Sequence, residues 1–259
     1  MPLQASDARR HLALPEGITA CLFDLDGVLT QTATVHAVAW KQMFDAFLLE
    51  RSQATGLPFL EFTLPGDYSG HVDGKLRQDG VRSFLASRGI VLPEGSDDDL
   101  TTATTVYGLG QRKNALVLDI IQRDGVDVYE GSVRFVEAVR AAGLRTAVVS
   151  ASRNCHTVLL VTGIEHLFEV RIDGVVAGEA GLPGKPAPDT FLAAAAALGV
   201  EPKHCAVFED ALAGVEAGRA GSFGWVVGVD RVGQTAALRD HGADVVVTDL
   251  AELLSVEER

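Results

Sequence analysis

The sequence predicts an α/β fold in which helices flank a parallel sheet, with an all-helical segment inserted near its start. The first observation is that residues 18–23, 146–149 and 205–208 form short apolar runs, which are typical of strands buried on both faces. The second is that segments with helical patterns, each closed by a glycine, lie between these runs. Strands that alternate with helices in this way indicate a doubly wound sheet.

The elements can be assigned in chain order from these patterns. After the first run, the inserted segment predicts helices at 36–51, 79–88 and 111–124, with a Pro/Gly-rich loop at 56–74. The rest of the chain predicts helices at 132–142, 189–198, 212–220 and 235–241, and further strands at 225–229 and 244–247. Gly143, Gly199 and Gly221 lie where a helix C-cap is expected.

We therefore expect two domains in the 259 residues. An α/β core is predicted over residues 1–33 and 129–259, and a helical cap domain over residues 34–128. The two connections between them are expected near residues 32–34 and 125–129.

Charge and composition exclude several classes of protein. The 35 acidic side chains outnumber the 22 basic ones and give a net charge of -13, which disfavours nucleic-acid partners and a polybasic membrane surface. No stretch has the ~20 apolar residues that span a bilayer, and residues 1–17 lack the apolar core of a secretory signal. The three cysteines are too few and too far apart for a disulfide framework or a structural zinc site. We expect a cytoplasmic monomer with reduced thiols.

Two carboxylates follow the first predicted strand directly. Asp24 and Asp26, followed by Gly27, can reach one site, where one can act as a nucleophile and the other as general acid/base. The alternative is a structural turn, because Asp and Gly are common turn residues. An EF-hand loop fits poorly, since its twelfth position is Val35 rather than a glutamate.

Further polar side chains follow the other strands or lie on nearby loops. Ser150 ends the second run and can donate a hydrogen bond to a phosphoryl oxygen. Lys185 lies on a loop stiffened by prolines, and Glu209 and Asp210 follow a buried run, where paired acids are costly unless a cation binds them. Oxygen ligands of this kind suit Mg²⁺. Together these groups match the requirements of phosphoryl transfer.

Four separated motifs resemble those of the haloacid dehalogenase superfamily, in its β-phosphoglucomutase-like branch with a helical cap. FDLDGVLT, VVSASRN, KPAPD and FEDALAGVEAGRAG, which begin at residues 23, 148, 185 and 208, match in order. The resemblance implies a Rossmann-like core, a phosphorylated Asp24 and an acid/base Asp26. It also implies that Ser150 and Lys185 hold the phosphoryl group. The implied Mg²⁺ ligands are Asp24, the Asp26 backbone carbonyl, Glu209 and Asp210.

The same resemblance implies a set of substrate-binding residues. In the cap and its hinge they are Thr32, His36, Trp40, Gly74, Arg77 and Lys113, and in the core loop Ala151, Ser152, Arg153 and Asn154.

The predicted function is a Mg²⁺-dependent phosphosugar mutase that interconverts β-glucose 1-phosphate and glucose 6-phosphate through an aspartyl phosphate. Phosphoryl transfer is favoured over dehalogenation because a halide leaves without a proton, whereas a sugar oxygen needs one that Asp26 can supply. A phosphatase for small phosphate esters is the alternative with the same catalytic groups. A metal-dependent glycosyltransferase would leave Lys185 and the Glu209–Asp210 pair unexplained, and a non-catalytic binding domain would leave the set of acids unexplained.

Overall fold

The chain divides into two compact units. The computed structural model describes residues 9, 11–64 and 66–254. One unit comprises Met1–Gln31 and Val126–Arg259, and the other comprises Thr32–Gly125. The predicted core domain includes residues 1–8, 10 and 255–259, which lie outside the described residues. The prediction that residues 1–17 contain no secretory signal also falls partly on residues outside the described part of the chain. The assignment of the second unit as a cap stays a prediction.

Within the described residues, six parallel strands form one sheet. The strands are β1 Ala20–Phe23, β2 Arg145–Val149, β3 Val170–Ile172, β4 Cys205–Glu209, β5 Trp225–Val229 and β6 Val245–Val247. Their order across the sheet is β3-β2-β1-β4-β5-β6. The order reverses between β1 and β4, and in doubly wound sheets a ligand binds beyond the carboxyl ends of the strands at that point. The parallel α/β fold and five of its strands confirm the prediction, whereas β3 was not predicted.

The helices, in chain order, are α1 Thr32–Thr55, α2 Arg77–Ser87, α3 Val106–Asp124, α4 Glu130–Ala141, α5 Cys155–Thr162, α6 Gly174–Glu179, α7 Asp189–Leu198, α8 Leu212–Ala220 and α9 Thr235–Asp240. A π-helical turn at Tyr68–Val72 and 3₁₀ turns at Glu165–Leu167, Pro202–His204 and Leu250–Leu253 complete the elements of the described residues. Helices α1 to α3 belong to the second unit and the others to the α/β unit.

Both faces of the sheet are buried by helices. Because side chains alternate along a strand, Leu22 packs on one face against a cluster that includes Phe191 of α7 and Val215 of α8. On the other face the Phe23 ring stacks on Phe208 at 4.6 Å between centroids and meets Phe135 of α4 edge-on at 6.2 Å. This double burial explains why the strands are nearly continuous apolar runs.

The glycines at helix ends behave differently from one another. Gly199, at the C-cap of α7, has the left-handed conformation with φ of 68°, as expected for a C-cap glycine. Gly221, at the C-cap of α8, has φ of −78°, and the following Ser222 has the positive φ of 55°. A Cβ at Gly221 would lie 2.4 Å from Cε2 of Phe223. Gly221 is therefore required for the space it leaves to that ring rather than for its backbone conformation.

The helical unit has an aromatic core of its own. The Trp40 and Phe44 rings of α1 stack at 5.3 Å, and Phe44 packs 4.1 Å from Phe84 of α2. Phe62, from the predicted Pro/Gly-rich loop, is fully buried against both phenylalanines. The π-helical turn lies in the same loop, which is thus more ordered than its composition predicts.

Among the residues that the structure describes, no helix combines the length and the apolarity needed to cross a bilayer.

Candidate active site

Three neighbouring strands bring polar side chains to one edge of the sheet. β1 lies between β2 and β4, and Asp24 follows β1 while Ser150 follows β2 and Glu209 ends β4. The sheet pattern continues through the first two, because the Asp24 amide donates to the Phe208 carbonyl and the Ser150 amide to the Ile172 carbonyl, both at 3.0 Å. These side chains therefore stand on backbone that is hydrogen-bonded to the neighbouring strands.

Lys185 connects two of these carboxylates from a loop outside the sheet. Its ammonium group donates to Asp24 Oδ1 at 2.5 Å, to Glu209 Oε1, and to the Val149 carbonyl at 3.2 Å. The residue is 3% exposed, and the ring of Phe191 lies 4.9 Å from Nζ. Removing one member of such a buried pair leaves an unpaired charge, which costs about 3–5 kcal/mol. Lys185 is therefore both a structural and an electrostatic part of the site.

The pKa values of Asp24 and Lys185 depend on the balance between desolvation by burial and pairing with the opposite charge. Burial raises the pKa of Asp24 well above its ordinary value; Lys185 opposes the rise, and the charges of Glu209 and Asp26 add to it. Burial alone would lower the pKa of Lys185, but Asp24 and Glu209 raise it above its ordinary value. The lysine therefore stays charged, and it favours the ionised form of Asp24 that a nucleophile requires.

The second carboxylate of the motif has a different set of neighbours. The Ser150 hydroxyl donates to Asp26 Oδ2 at 3.2 Å. The turn that follows Asp26 is closed by a bond from the Gly27 amide to the Thr30 carbonyl at 2.8 Å, and the Thr30 hydroxyl donates to the Leu25 carbonyl at 3.2 Å. Asp26 is half-buried on this turn, whereas Asp24 is buried. The two acids thus stand in separate environments at the end of one strand.

The acidic groups could hold a divalent cation. One carboxylate oxygen each from Asp24, Glu209 and Asp210 lies within 4.8 Å of the others. Gly27 makes room for this group, because a Cβ there would lie 1.7 Å from Asp210 Oδ2. The second oxygen of Glu209 accepts from the Ala211 amide at 3.0 Å. An all-oxygen set of this kind fits a hard cation such as Mg²⁺.

The loop after β2 is built around two serine hydroxyls. The Ser152 amide donates to Ser150 Oγ at 3.0 Å, and the Asn154 amide donates to Ser152 Oγ at 3.1 Å. A Cβ at Gly174 would lie 2.6 Å from the Ala151 carbonyl oxygen, so this loop also packs closely on the start of α6. The predicted substrate-binding residues of this loop therefore share one compact turn next to Ser150.

Two other residues of this segment differ in exposure. Arg153 is exposed, so its side chain is accessible to a ligand from solvent. Cys155 begins α5 and is fully buried, and this burial, together with the charge of Asp26, raises the pKa of its thiol well above the ordinary value. Cys155 is accordingly a packing residue rather than a reactive thiol.

Three of the predicted substrate residues meet inside the helical unit. Lys113 of α3 is 4% exposed, and its ammonium group lies 2.8 Å from Nδ1 of His36 and 4.9 Å from the ring centre of Trp40, both on α1. A buried lysine held by an imidazole and an aromatic face is a cation in a fixed position. Their role in binding a substrate stays a prediction.

The other predicted residues of this unit lie at element ends. Thr32 is buried and begins α1. Gly74 has φ of +69°, and Arg77 begins α2 with Nη2 donating to Oδ1 of Asn114 at 2.7 Å. Binding of a distal phosphate by Arg77 stays a prediction.

The sequence did not predict one loop that touches this site. The residues after β5 contribute Arg231, whose Nε donates to the Gly27 carbonyl at 2.7 Å, and Gln234, whose Nε2 donates to the Asp210 carbonyl at 2.9 Å. The strand-end rule that identified Asp24 could have found this loop, because Asp230 follows a buried run in the same way.

Comparisons with known proteins agree with this architecture. The family model for haloacid dehalogenase-like hydrolases matches residues 18–221. Proteins named β-phosphoglucomutase from Mycobacterium bovis and Mycobacterium tuberculosis are 58% identical to this chain over 248 residues, which are 95% of this chain and 95% of each relative. The β-phosphoglucomutase of Bacillus subtilis is 30% identical over 235 residues, with 90% and 91% coverage.

Solved structures share the fold as well. A crystal structure of β-phosphoglucomutase from Clostridium difficile superposes with a TM-score of 0.71 at 25% identity, and the match covers 91% of this chain and 93% of that one. CbbY from Rhodobacter sphaeroides, crystallised with phosphate, superposes with a TM-score of 0.66 at 21% identity, with 93% and 98% coverage.

Proposed function

The chain belongs to the haloacid dehalogenase-like hydrolases, and from that premise we propose that it is a phosphosugar mutase that interconverts β-glucose 1-phosphate and glucose 6-phosphate. The observation that carries the proposal is the arrangement of Asp24 and Asp26 at the end of β1. Asp24 is buried and paired with Lys185, whereas Asp26 accepts a hydrogen bond from Ser150. The 58% identity to β-phosphoglucomutases over 95% of the chain supports the assignment of the substrate.

The two environments fit the two roles that the reaction requires. A carboxylate oxygen of Asp24 attacks phosphorus, the bond from phosphorus to the sugar oxygen breaks, and an aspartyl phosphate forms. The departing sugar oxygen takes the proton of Asp26. In the reverse direction Asp26 removes the proton from the incoming sugar hydroxyl, which then takes the phosphoryl group from Asp24.

We propose that Lys185 and Ser150 assist this transfer. The Lys185 ammonium group lies 2.5 Å from Asp24 Oδ1, so it also lies beside any phosphoryl group attached to that carboxyl. A fixed cation at this position stabilises the charge on the phosphoryl oxygens in the transition state. The Ser150 hydroxyl orients Asp26 and can donate to a phosphoryl oxygen when one is present.

We further propose Mg²⁺ as the cofactor. Asp24, Glu209, Asp210 and the backbone carbonyl of Asp26 would hold it. When bound, it supplies charge neutralisation for the phosphoryl group. The fit rests on the oxygen donors and on the space left by Gly27.

A mutase also needs groups that bind the second phosphate while the sugar bisphosphate turns around. The α/β unit carries Ser152, Arg153 and Asn154 on the loop after Ser150, and the helical unit carries Arg77. The helical unit also carries Lys113, which is held beside His36. We propose that these groups bind the substrate, as the resemblance implies. A phosphatase has no need for a second phosphate site.

One assay separates the mutase from the phosphatase. The protein is incubated with β-glucose 1-phosphate, a trace of glucose 1,6-bisphosphate and Mg²⁺, and both glucose 6-phosphate and free phosphate are followed. The mutase predicts glucose 6-phosphate as the main product. Free phosphate as the main product would rule it out.

The matched variants are Asp24→Asn and Asp119→Asn. Asp24→Asn removes the nucleophile and should abolish transfer, with no phosphorylated protein by mass spectrometry. Asp119 is exposed on α3, where it faces Arg123 at 3.9 Å, so its substitution should leave activity unchanged. Substantial activity in the first variant would refute the aspartyl-phosphate mechanism.

We also propose that the protein is a cytoplasmic monomer. The three cysteines are free and buried, which favours a reducing compartment. Light scattering coupled to gel filtration tests the monomer, for which a mass of 27.4 kDa is expected. Cell fractionation with an antibody tests the location.

A further inference from the structure

The loop that joins β5 to α9 is held rigid by one side chain. Oδ1 of Asp230 accepts from the backbone amides of Val232, Gly233 and Gln234 at 3.2, 2.7 and 2.9 Å, and Oδ2 accepts from the Thr235 hydroxyl. A carboxylate that accepts several local donors fixes the backbone of its own turn. The side chains between Asp230 and α9 therefore project from a defined position.

Arg231 extends from this loop to the turn that follows Asp26. Its Nε donates to the Gly27 carbonyl at 2.7 Å, Nη2 donates to the Val28 carbonyl at 3.4 Å, and Nη1 donates to the Thr248 carbonyl at 2.6 Å. The guanidinium group lies 3.5 Å from the ring centre of Tyr129. Its planar fork thus bonds two successive carbonyls of the turn and a third that comes from beyond β6.

These contacts bear on the proposed acid/base residue. The turn after Asp26 has internal bonds from the Gly27 amide to the Thr30 carbonyl and from the Leu29 amide to the Leu25 carbonyl. The carbonyls of Gly27 and Val28 are bonded by Arg231, so the arginine completes the hydrogen bonding of this turn.

The loop that joins β5 to α9 also contacts the backbone of Asp210, one of the proposed metal ligands. Gln234 Nε2 donates to the backbone carbonyl of Asp210 at 2.9 Å. One rigid loop thus bonds the backbone of both turns that carry active-site carboxylates, and neither contact involves a side chain of the four motifs.

We propose that Arg231 is a positioning residue: it holds the turn after Asp26 so that the Asp26 carboxyl meets the departing sugar oxygen. The inference deepens the proposed function and rests on it for the identity of the sugar phosphate. Outer-shell groups around metal sites typically change affinity or activity about 10–100-fold when removed. We expect an effect of that order for Arg231, which bonds the backbone of the turn that follows Asp26. Since the phosphorylated residue Asp24 precedes the turn, the effect should be specific to the step that needs the proton.

Two phosphoryl donors distinguish this role from general support of the fold. With β-glucose 1-phosphate, the sugar oxygen leaves only with the proton of Asp26. With acetyl phosphate, the leaving group is a carboxylate with an ordinary pKa of about 4, and it departs without a proton. In both cases Asp24 forms the bond to phosphorus and the electron pair of the broken bond leaves with the departing oxygen.

The experiment compares Arg231→Met with wild type on both donors. The expected result is a kcat reduced about 10–100-fold on β-glucose 1-phosphate, with KM nearly unchanged and the rate of Asp24 phosphorylation by acetyl phosphate within about threefold of wild type. An equal loss with both donors would overturn the proposal, because Arg231 would then support the whole site. Unchanged kcat on the sugar phosphate would overturn it too.

Two further variants serve as controls. Arg219→Met removes an arginine that bonds the Gly242 carbonyl at 2.6 Å and Asp244 away from the site, and it should leave both rates unchanged. Arg231→Lys keeps the charge but can bond only part of the carbonyl set, so an intermediate kcat on the sugar phosphate is expected. Wild-type kcat in this variant would contradict a need for the planar fork.

A failure of the positioning role of Arg231 can be distinguished from a failure of the proposed mutase function. If wild-type protein converts no β-glucose 1-phosphate to glucose 6-phosphate, the mutase assignment fails. The comparison of Arg231→Met with wild type is then made with hydrolysis of glycerol 3-phosphate, whose alkoxide leaving group also needs a proton, against acetyl phosphate. Equal losses on these two donors would overturn the positioning role alone.

Discussion

Replacing Gly27 with alanine should displace the carboxylate of Asp210. Gly27 has φ of +89°, and a Cβ built on it would lie 1.7 Å from Oδ2 and 2.4 Å from Cγ of Asp210. Gly27 and Asp210 lie on the loops that follow β1 and β4, which are neighbouring strands of the sheet. Neither backbone can therefore move without disturbing the end of a strand. The side chain of Asp210 therefore has to give way.

The size of the displacement follows from the contact distance. Ordinary contact with a Cβ begins at 3.4 Å, so the oxygen has to withdraw by about 1.7 Å. A misplacement of about 1 Å in a catalytic group can cost 100-fold in rate, and we expect at least that loss in kcat/KM for β-glucose 1-phosphate. We also expect the concentration of Mg²⁺ needed for half-maximal activity to rise about tenfold or more.

The control variant should have an alanine at a similar positive φ, without a clash between its Cβ and a neighbouring side chain. Gly143 has φ of +78°, and a Cβ added there would meet no heavy atom of the described residues within 4 Å. Gly143→Ala should therefore lose stability by about 1–3 kcal/mol while keeping its kcat/KM and its Mg²⁺ requirement. Steady-state kinetics over a range of Mg²⁺ concentrations and urea unfolding measure both variants.

The result that would refute this reasoning is a Gly27→Ala variant with the Mg²⁺ requirement and kcat/KM of Gly143→Ala. Asp210 would then lie outside the group that binds the cation or the phosphate. Calorimetric titration of the two variants with Mg²⁺ gives a second readout that does not depend on turnover.

Three other predictions can be tested on the same protein. Chelation with EDTA should abolish turnover, and Mg²⁺ at 100 times its Kd should raise the free energy of unfolding by about 2.7 kcal/mol; a melting temperature insensitive to Mg²⁺ would contradict this. Because burial raises the pKa of Asp24, the folded protein in EDTA binds this proton more tightly than the unfolded chain, so its stability falls as the pH rises above about 4. Asp24→Asn should remove that decrease when urea unfolding is measured at a series of pH values above about 4, and an unchanged slope would argue against it. Finally, Gly174→Ala brings a Cβ 2.6 Å from the Ala151 carbonyl oxygen, and it should raise KM for the sugar phosphate about tenfold, a loss of about 1.4 kcal/mol. In the control Gly178→Ala, the added Cβ meets nothing within 4 Å in the described part of the chain, so KM should not change. Equal KM values for the two variants would count against a substrate role for the loop after β2.

Burial on both faces explains which strands the sequence could predict. Runs such as Cys205–Glu209 are uniformly apolar until the strand ends, so they are visible without periodicity. β3 has three residues with Arg171 in the middle, and among the strands that the structure describes it pairs only with β2. A short edge strand needs no continuous apolar run, and the sequence therefore contains no signal for it.

The sequence likewise predicts only part of the candidate site. The ends of parallel strands meet at one edge, so the sequence predicts that Asp24, Ser150 and Glu209 are neighbours. It does not predict which groups bond, because that depends on the path of loops. Lys185 reaches Asp24 and Glu209 from outside the sheet, and only the folded loop shows that one ammonium group serves both.

Three glycines show how closely these loops are packed. A Cβ at Gly27 would clash with Asp210, at Gly214 it would lie 1.9 Å from Glu209 Oε1, and at Gly174 it would meet the Ala151 carbonyl. Of the three, only Gly27 has a positive φ, so for the other two the requirement is space rather than backbone freedom. Gly27 and Gly214 thus leave room for the carboxylates of Asp210 and Glu209, and Gly174 leaves room for the Ala151 carbonyl. Glu209 and Gly214 belong to one motif, whereas the contacts of Gly27 with Asp210 and of Gly174 with Ala151 join segments far apart in the chain. A substitution at any of these glycines should therefore change the site even though none of them can react.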